Sequence, residues 1–424
     1  MNGTGDRTSP GTEDRPYLRT HPWIAFRLDL TKAPFRFWMD LGAVQSKIEH
    51  VANALLPPKT AQRFRSLYLA KGVHGTTAIE GNTLSEEEVR DRIEGRTKLP
   101  PSKAYLGKEI DNIVEACNRI AAEALAGGGS DLTAVGVRAF NEMVLQGLPL
   151  EDHVVPGQLR TYSVGVARYQ GPPWEDCTYL VDRLCHWLNT EFQPPSDDLA
   201  TAFAVLKAIM AHLYLAWIHP FGDGNGRTAR LVEYQILLCG GVPDVAAHLL
   251  SNFYNQTRTE YYRQLSAASR SSGDVVPFLS YALRGLRDGL DEQIQVLRRD
   301  LRQVVWRDYV YETFRDVTRG DAAHRRRLLA LVLASADPPL VHVSKVRLLT
   351  PEIAQLYANK TPKTLSRDLN ELQRMELVIR QGREVRANLP ILSHFLPGRR
   401  ARARREATSR QNRESHSGVT QHEP

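Results

Sequence analysis

The sequence predicts a mainly α-helical protein, and three observations carry that expectation. In LGAVQSKIEHVANALL, apolar residues Leu41, Val44, Ile48, Val51 and Leu55 recur near the 3.6-residue period of an amphipathic helix. The stretch ATAFAVLKAIMAHLYLAWI, Ala200 to Ile218, is apolar nearly all round and reads as a buried central helix. In the central body the extended formers Tyr162, Val164, Val166 and Tyr169 lie in one short, turn-flanked run, which predicts a small hairpin across 156–174.

At 424 residues the chain has room for two or three domains and a sizeable core. Hydrophobic residues make up 42% and charged residues 24%, an ordinary globular mix. Lys207 and His212 interrupt the most apolar segment, and the N-terminal MNGTGDRTSPGTEDRPY has no apolar core. The expectation is therefore neither a membrane span nor a signal peptide. Cys117, Cys177, Cys185 and Cys239 include no CxxC pair, which argues against structural zinc or a disulfide framework and suits a reducing cytoplasm. Of the net charge of +7, residues 397–424 carry +4, so the basicity is mostly a property of the tail.

In chain order, residues 1–16 read as disordered and 17–98 as an N-terminal helical region, where Ser85 and Glu88 form a capping box. A helical body spans 99–290, broken at AGGGSD (126–131) and at the hairpin. Its helix RTARLVEYQILLC begins near Asn225 and stops at Gly240-Gly241. An Arg-rich helix over about 285–330 places a linker at 291–335. Residues 336–396 then follow the winged helix-turn-helix order of helix, turn, helix and hairpin. Thr350-Pro351 and Thr361-Pro362 mark two helix starts, and Leu365, Leu369 and Leu372 give the second helix its buried stripe. Residues 397–424 read as a basic disordered tail.

The chemistry concentrates in HPFGDGNGRTAR, His219 to Arg230. The glycine-rich loop delivers backbone N–H groups to a helix N-terminus, and Arg227 and Arg230 share one face of that helix, a field suited to phosphates. Asp223 would repel phosphate unless it held a divalent metal such as Mg²⁺, and His219 is the candidate general base. The loop lacks the lysine of a P-loop and the spacing of a dinucleotide fingerprint. A plain connector between core helices would not need His, Asp, Asn and two Arg together. His212, two turns before His219, reads as a core histidine, and Cys239 as a small buried hydrophobe.

HPFGDGNGRTAR resembles the signature of Fic-domain proteins, and the resemblance runs from about residue 20 to 290. It implies a Fic helical bundle with a β-hairpin flap, a frequent C-terminal winged helix, and transfer of AMP from ATP to a hydroxyl side chain of a target protein. On this resemblance His219 would be the base and Asp223 the Mg²⁺ ligand. Asn225, with the backbone of Gly224 and Gly226, would stabilise charge on the transferred group. Arg227 and Arg230 would hold the leaving phosphates, and Phe221 would be a packing anchor. TTAIEGN (76–82) is similar to the family's inhibitory motif, which would pair Glu80 with Arg230; in some members this Glu also supports removal of AMP. The hairpin, with Tyr162, Val164, Val166 and Tyr169, resembles the target-clamping flap, a plain surface hairpin being the other reading. In SNFYNQTRTEYYRQL, Tyr254, Tyr261 and Tyr262 are adenosine-contact candidates, against the blander reading of aromatics in a core.

A second class of function stays open, a DNA-binding regulator. Lys363, Thr364, Arg367 and Asn370 would face DNA, Arg380, Arg383 and Arg386 would line the wing, and Asp368 and Glu371 would dilute the charge. Transfer of UMP is a further alternative. The N-terminal helices and the 285–330 helix are candidate dimer surfaces.

Overall fold

A computed structural model describes residues 15–96, 99–129, 131–166, 169–271, 273–317 and 320–393. The basic tail and nearly all of the expected disordered N-terminus lie outside the described residues. The chain divides into two compact units, Met1–Val296 and Leu297–Pro424.

Among the described residues, the regular structure of the first unit is helical apart from one hairpin and an isolated bridge between Leu159 and Phe221. Its helices are α1 (Tyr17–Thr20), α2 (Phe35–Ala52), α3 (Pro58–Ile79), α4 (Glu86–Ile93), α5 (Ala104–Leu125) and α6 (Ala134–Leu145). After the hairpin come α7 (Cys177–His186), α8 (Ala200–Ile218), α9 (Asn225–Cys239), α10 (Asp244–Ala247), α11 (Leu249–Gln256) and α12 (Arg258–Arg270). Strands β1 (Gly165–Val166) and β2 (Tyr169–Gln170) pair antiparallel, Gly165 opposite Gln170 and Val166 opposite Tyr169.

On α2 the predicted stripe is buried at Leu41, Val44, Ile48 and Val51. The helix ends at Ala52, however, so Leu55 falls off the stripe and is 86% exposed. Ser85 and Glu88 make the reciprocal capping box at the start of α4.

The axis of the unit is α8, against which α2, α7 and α9 pack. Residues 197–218 contain an 18-residue window of mean hydropathy 1.7, long and apolar enough to cross a membrane by composition alone, and 61% of that window is buried inside the protein. Each fully buried Leu or Ile here contributes about 1.5–3 kcal/mol of transfer free energy. His212 is indeed a core residue, its Nε2 2.8 Å from the Tyr261 hydroxyl and its Nδ1 3.2 Å from Glu233 Oε2. Cys239 departs from the expected buried hydrophobe. It sits at the half-exposed end of α9, and its Sγ lies 3.2 Å from the Gly129 carbonyl.

A 38-residue helix, α13 (Val276–Thr313), begins in the first unit and ends in the second. The second unit adds α14 (Asp321–Ala334), β3 (Val341–His342), α15 (Pro351–Tyr357), α16 (Pro362–Arg374), β4 (Val378–Gln381) and β5 (Glu384–Ala387). The three strands form an antiparallel sheet in the order β3-β5-β4. Thr350 caps α15 through its hydroxyl, which accepts from the Ile353 amide at 3.3 Å; the Thr361 side chain makes no such bond to α16. The expected single helix and linker at 285–335 are instead two helices that build this unit's core. Trp306 and Val310 of α13 and Leu329 and Leu333 of α14 pack with Ile353, Leu365, Leu369, Leu372 and Val385. A 3.6-residue period shows which face is apolar but not which neighbours cover it.

Asp368, expected to dilute an exposed basic face, is 1% exposed. Its carboxylate accepts from Arg325 Nε at 2.6 Å, Arg326 Nε at 2.8 Å and the Tyr357 hydroxyl at 2.9 Å. Burial works against its ionisation, but these bonds outweigh burial and hold its pKa below the usual carboxylate range. Removing one partner of a buried pair strands the other charge, so Asp368→Ala should cost about 3–5 kcal/mol. Amide hydrogen exchange on the full chain should show faster exchange in α14 and α16, with α8 and α9 unchanged.

Candidate functional site

The site is built where α8 hands over to α9. Residue 220 is a proline, which cannot donate to a continuing helix, and His219 closes α8 in the left-handed region with φ 46 and ψ 59. Gly224 is also left-handed, at φ 74, and caps α9. The first helical bond of α9 runs from the Thr228 amide to the Gly224 carbonyl at 2.9 Å. The amides of Asn225, Gly226 and Arg227 therefore have no carbonyl partner within the helix, which makes this terminus an anion cradle.

Glu80, at the end of α3, lies over that cradle. A Cβ built on Gly226 would stand 2.1 Å from Glu80 Oε1, so only glycine leaves room for the carboxylate. Glu80 Oε1 accepts from Arg230 Nη2 at 2.5 Å, while Thr76 accepts from the same guanidinium through Oγ1 at 2.7 Å and its carbonyl at 3.0 Å. Burial works against ionised Glu80, even though 30% of its side chain faces solvent; the charge and hydrogen bond of Arg230 outweigh it and lower the pKa. Arg227 is held between carboxylates, Glu109 at 2.7 Å and Asp223 at 3.2 Å, and its buried Nε has no partner among the described residues.

His219 is half-buried, and burial pulls its pKa down to about 4. A hydrogen bond to the Ala216 carbonyl and the charges of Glu80 and Asp223 act the other way, while Arg160 pushes it further down. The ring is therefore neutral near pH 7 and offers a lone pair. Asp223 keeps half of its side chain exposed at the loop surface.

Other site residues stand differently from their expected roles. The Asn225 side chain is a clip within the loop, accepting from the Phe221 amide at 2.9 Å and donating one N–H to the Phe221 carbonyl at 2.8 Å. Phe221 is packed at 1% exposure, as expected. Tyr254 is fully buried and donates to Glu233, and Tyr261 bonds His212; both belong to the core, leaving only Tyr262, 38% exposed, open to a base. Within the flap segment, Tyr169 turns inward and donates to the Trp217 carbonyl at 2.6 Å. The Tyr162 hydroxyl is buried without a partner among the described residues. The Val164 carbonyl accepts from the Gly171 amide at 3.0 Å, and the Val166 side chain lies outside what is described.

Three residues that the sequence reading missed hold this loop. Asn141 on α6 is completely buried; it donates to the Asp223 carbonyl at 2.9 Å and accepts from the Gly157 amide at 3.0 Å. Glu109 on α5 pairs with Arg227 and also accepts from Asn82 at 2.8 Å, two residues beyond Glu80. Arg160 is spread over backbone carbonyls of the loop and the flap segment. None belongs to a local motif; what marks them is charge or amide at positions the fold buries.

Residues 131–237 match the Fic/DOC family. Protein adenylyltransferase fic-1 of Caenorhabditis elegans is 29% identical over 226 residues, covering 53% of this chain and 41% of the relative. Protein adenylyltransferase Fic of Drosophila grimshawi is 30% identical over 233 residues, covering 55% and 43%. The chain thus spans about two fifths of the length of these curated relatives. A Fic family protein structure from Desulfovibrio desulfuricans G20 superposes with a TM-score of 0.49 at 21% identity, covering 82% of this chain and 95% of that one. Loop, helical surroundings and family match coincide: the chain carries a Fic/DOC family domain at residues 131–237.

Proposed function

We propose that this chain is a protein adenylyltransferase that moves AMP from ATP to a hydroxyl side chain of another protein and is restrained by its own Glu80. The observation that carries this reading is the Glu80 carboxylate lying on the α9 terminus and bonded to Arg230. A phosphate oxygen on this helix terminus would seek the same guanidinium and the same space, so anion and brake compete for one place. The unpartnered Arg227 Nε is a buried donor that a further phosphate oxygen would satisfy.

In the reaction, neutral His219 takes the proton of the incoming hydroxyl as its oxygen attacks the α-phosphorus. The new P–O bond forms as the bond to the β-phosphate oxygen breaks, and pyrophosphate leaves with that electron pair. The amides of Gly226 and Arg227 and the two guanidinium groups stabilise the phosphate charge. Asn225 contributes by keeping the loop closed. Asp223, a single half-exposed carboxylate, would hold Mg²⁺, and the bound ion would neutralise phosphate charge. Among the described residues no cluster of three or more His, Cys, Asp or Glu offers an all-protein metal cage. The same site would accept UTP if the base contacts allowed it, and Glu80 would serve removal of AMP if it oriented a water. All four cysteines are unpaired, which supports a reducing, cytoplasmic setting.

The second unit supports an additional reading as a winged helix that binds duplex DNA. With Asp368 turned inward, Lys363 and Arg367 on α16 and Arg383 at the hairpin tip are exposed on a face with less acid than the sequence suggested. Arg380 donates to Asn370 at 2.5 Å and Arg374 pairs with Glu371, so those side chains are partly engaged.

With α-labelled ATP and Mg²⁺, Glu80→Gly should place label on protein, while the native chain and Glu80→Gly with His219→Ala should not. Label in all three, or in none while a γ-labelled control is also blank, would count against AMP transfer. For the DNA reading, Lys363→Ala with Arg367→Ala should weaken duplex binding and flatten its salt dependence by about two phosphate contacts. Binding that is insensitive to both substitutions would reject α16 as the contact.

A further inference from the structure

We propose that Arg160 is a positioning residue for the transfer reaction, acting through the backbone of His219. The inference rests on the adenylyltransferase reading above. Arg160 is 3% exposed, and among the described residues no carboxylate pairs with it. Its guanidinium is instead carried by carbonyls: Nε donates to His219 at 2.8 Å, Nη1 to Tyr162 at 2.9 Å, and Nη2 to Pro172 at 2.6 Å and Ile218 at 3.4 Å. Its own amide donates to the Pro220 carbonyl at 2.9 Å.

A stable fold does not call for a lone buried cation, because desolvation costs several kcal/mol per ion unless the surroundings return it. What this cation achieves is geometric. Three consecutive carbonyls, at 218, 219 and 220, are fastened to one residue across the bend where His219 adopts φ 46. Non-glycine residues are uncommon in the left-handed region, and one persists there when its surroundings over-determine it. The same guanidinium reaches both sides of the flap, at Tyr162 before β1 and Pro172 after β2. Base and flap are thereby held by one planar fork, a geometry a lysine ammonium cannot reproduce.

Charge adds a second effect. The groups acting on the His219 ring are Arg160, which disfavours its protonated form, and Glu80 and Asp223, which favour it, beside the Ala216 carbonyl bonded to it. Arg160 therefore aims the base and helps keep it unprotonated. The sign follows: losing the cation lets the imidazole titrate at higher pH, and losing Glu80 moves it lower.

The test uses the full chain with Glu80→Gly as the active reference, alone and combined with Arg160→Lys, Arg160→Met or Gly171→Ala. A Cβ at position 171 would stand 3.0 Å from Arg160 Nη2 and 3.6 Å from His219 Cβ, so Gly171→Ala disturbs the fork without removing the buried charge. Expected are ATP dissociation constants within about threefold of the reference, with transfer rates down on the order of 100-fold for both Arg160 variants and about tenfold for Gly171→Ala. In Arg160→Met the His219 ring resonance should titrate at higher pH, and the acid limb of the rate profile should move with it; in Arg160→Lys the titration should move less than the rate. Unchanged rates, or rates that fall only in step with ATP binding and melting temperature, would overturn the proposal. If the Glu80→Gly reference itself transfers no AMP, the adenylyltransferase reading fails instead. The His219 titration then still decides whether Arg160 acts on the ring.

Discussion

The geometry of the first unit depends on a single reversal, the left-handed turn at His219. Before it runs a helix so apolar that it can only be central, and after it comes a polar loop that is mostly buried, with Asp223 at its surface. A helix continued past residue 218 would have removed the loop that keeps Asp223 at the surface and leaves the first amides of α9 unpaired. Stopping it with a proline and a positive φ instead puts the imidazole at the rim of the core and the start of α9 beside it. The loop is held by Asn141 of α6, by its own Asn225 clip, and across the bend by the Arg160 carbonyl contacts.

Electrostatics sets the state in which this machinery rests. Arg227 and Arg230 are nearly fully buried cations in a cradle built for anions, and unpaired they would be costly. Both are neutralised within the chain, Arg230 by Glu80 and Arg227 by Glu109 and Asp223. The resting cradle is thus occupied by carboxylates of its own protein, and Asn82 ties the Glu80 turn to the Glu109 pair. The second unit shows the same economy in Asp368, which answers two arginines and a tyrosine from inside its core.

Much of this was legible in the sequence. The bounds of α8 and the start of α9 followed from apolar content, the His-Pro break and the glycines, and the Glu80–Arg230 pairing followed from a motif resemblance. Local chemistry writes such features into neighbouring residues. Leu55 misled because a period cannot say where a helix stops, and Tyr254 and Tyr261 because an aromatic suits a core as readily as a ligand. Asp368 misled for the reverse reason, since a charged residue is presumed exposed until its partners, some 40 residues away in Arg325 and Arg326, are known. Arg160, Asn141 and Glu109 acquire their meaning only when distant segments meet.

On the adenylyltransferase reading, the position of Glu80 at the C-terminal cap of α3 governs how its inhibition would respond to its surroundings. A carboxylate tethered to the cradle competes at an effective concentration fixed by the order of the last helical turn, not by anything in solution. Dilution does not weaken it, and ATP would displace it only at concentrations raised in proportion to that effective concentration. Fraying is another matter. Helix ends open at small cost, and each step that loosens the turn from Thr76 to Asn82 lowers the local concentration of the anion. Control of this domain would therefore be exerted as mechanical slack in one turn of helix, and any partner that grips α3 has a lever on the chemistry without touching the nucleotide.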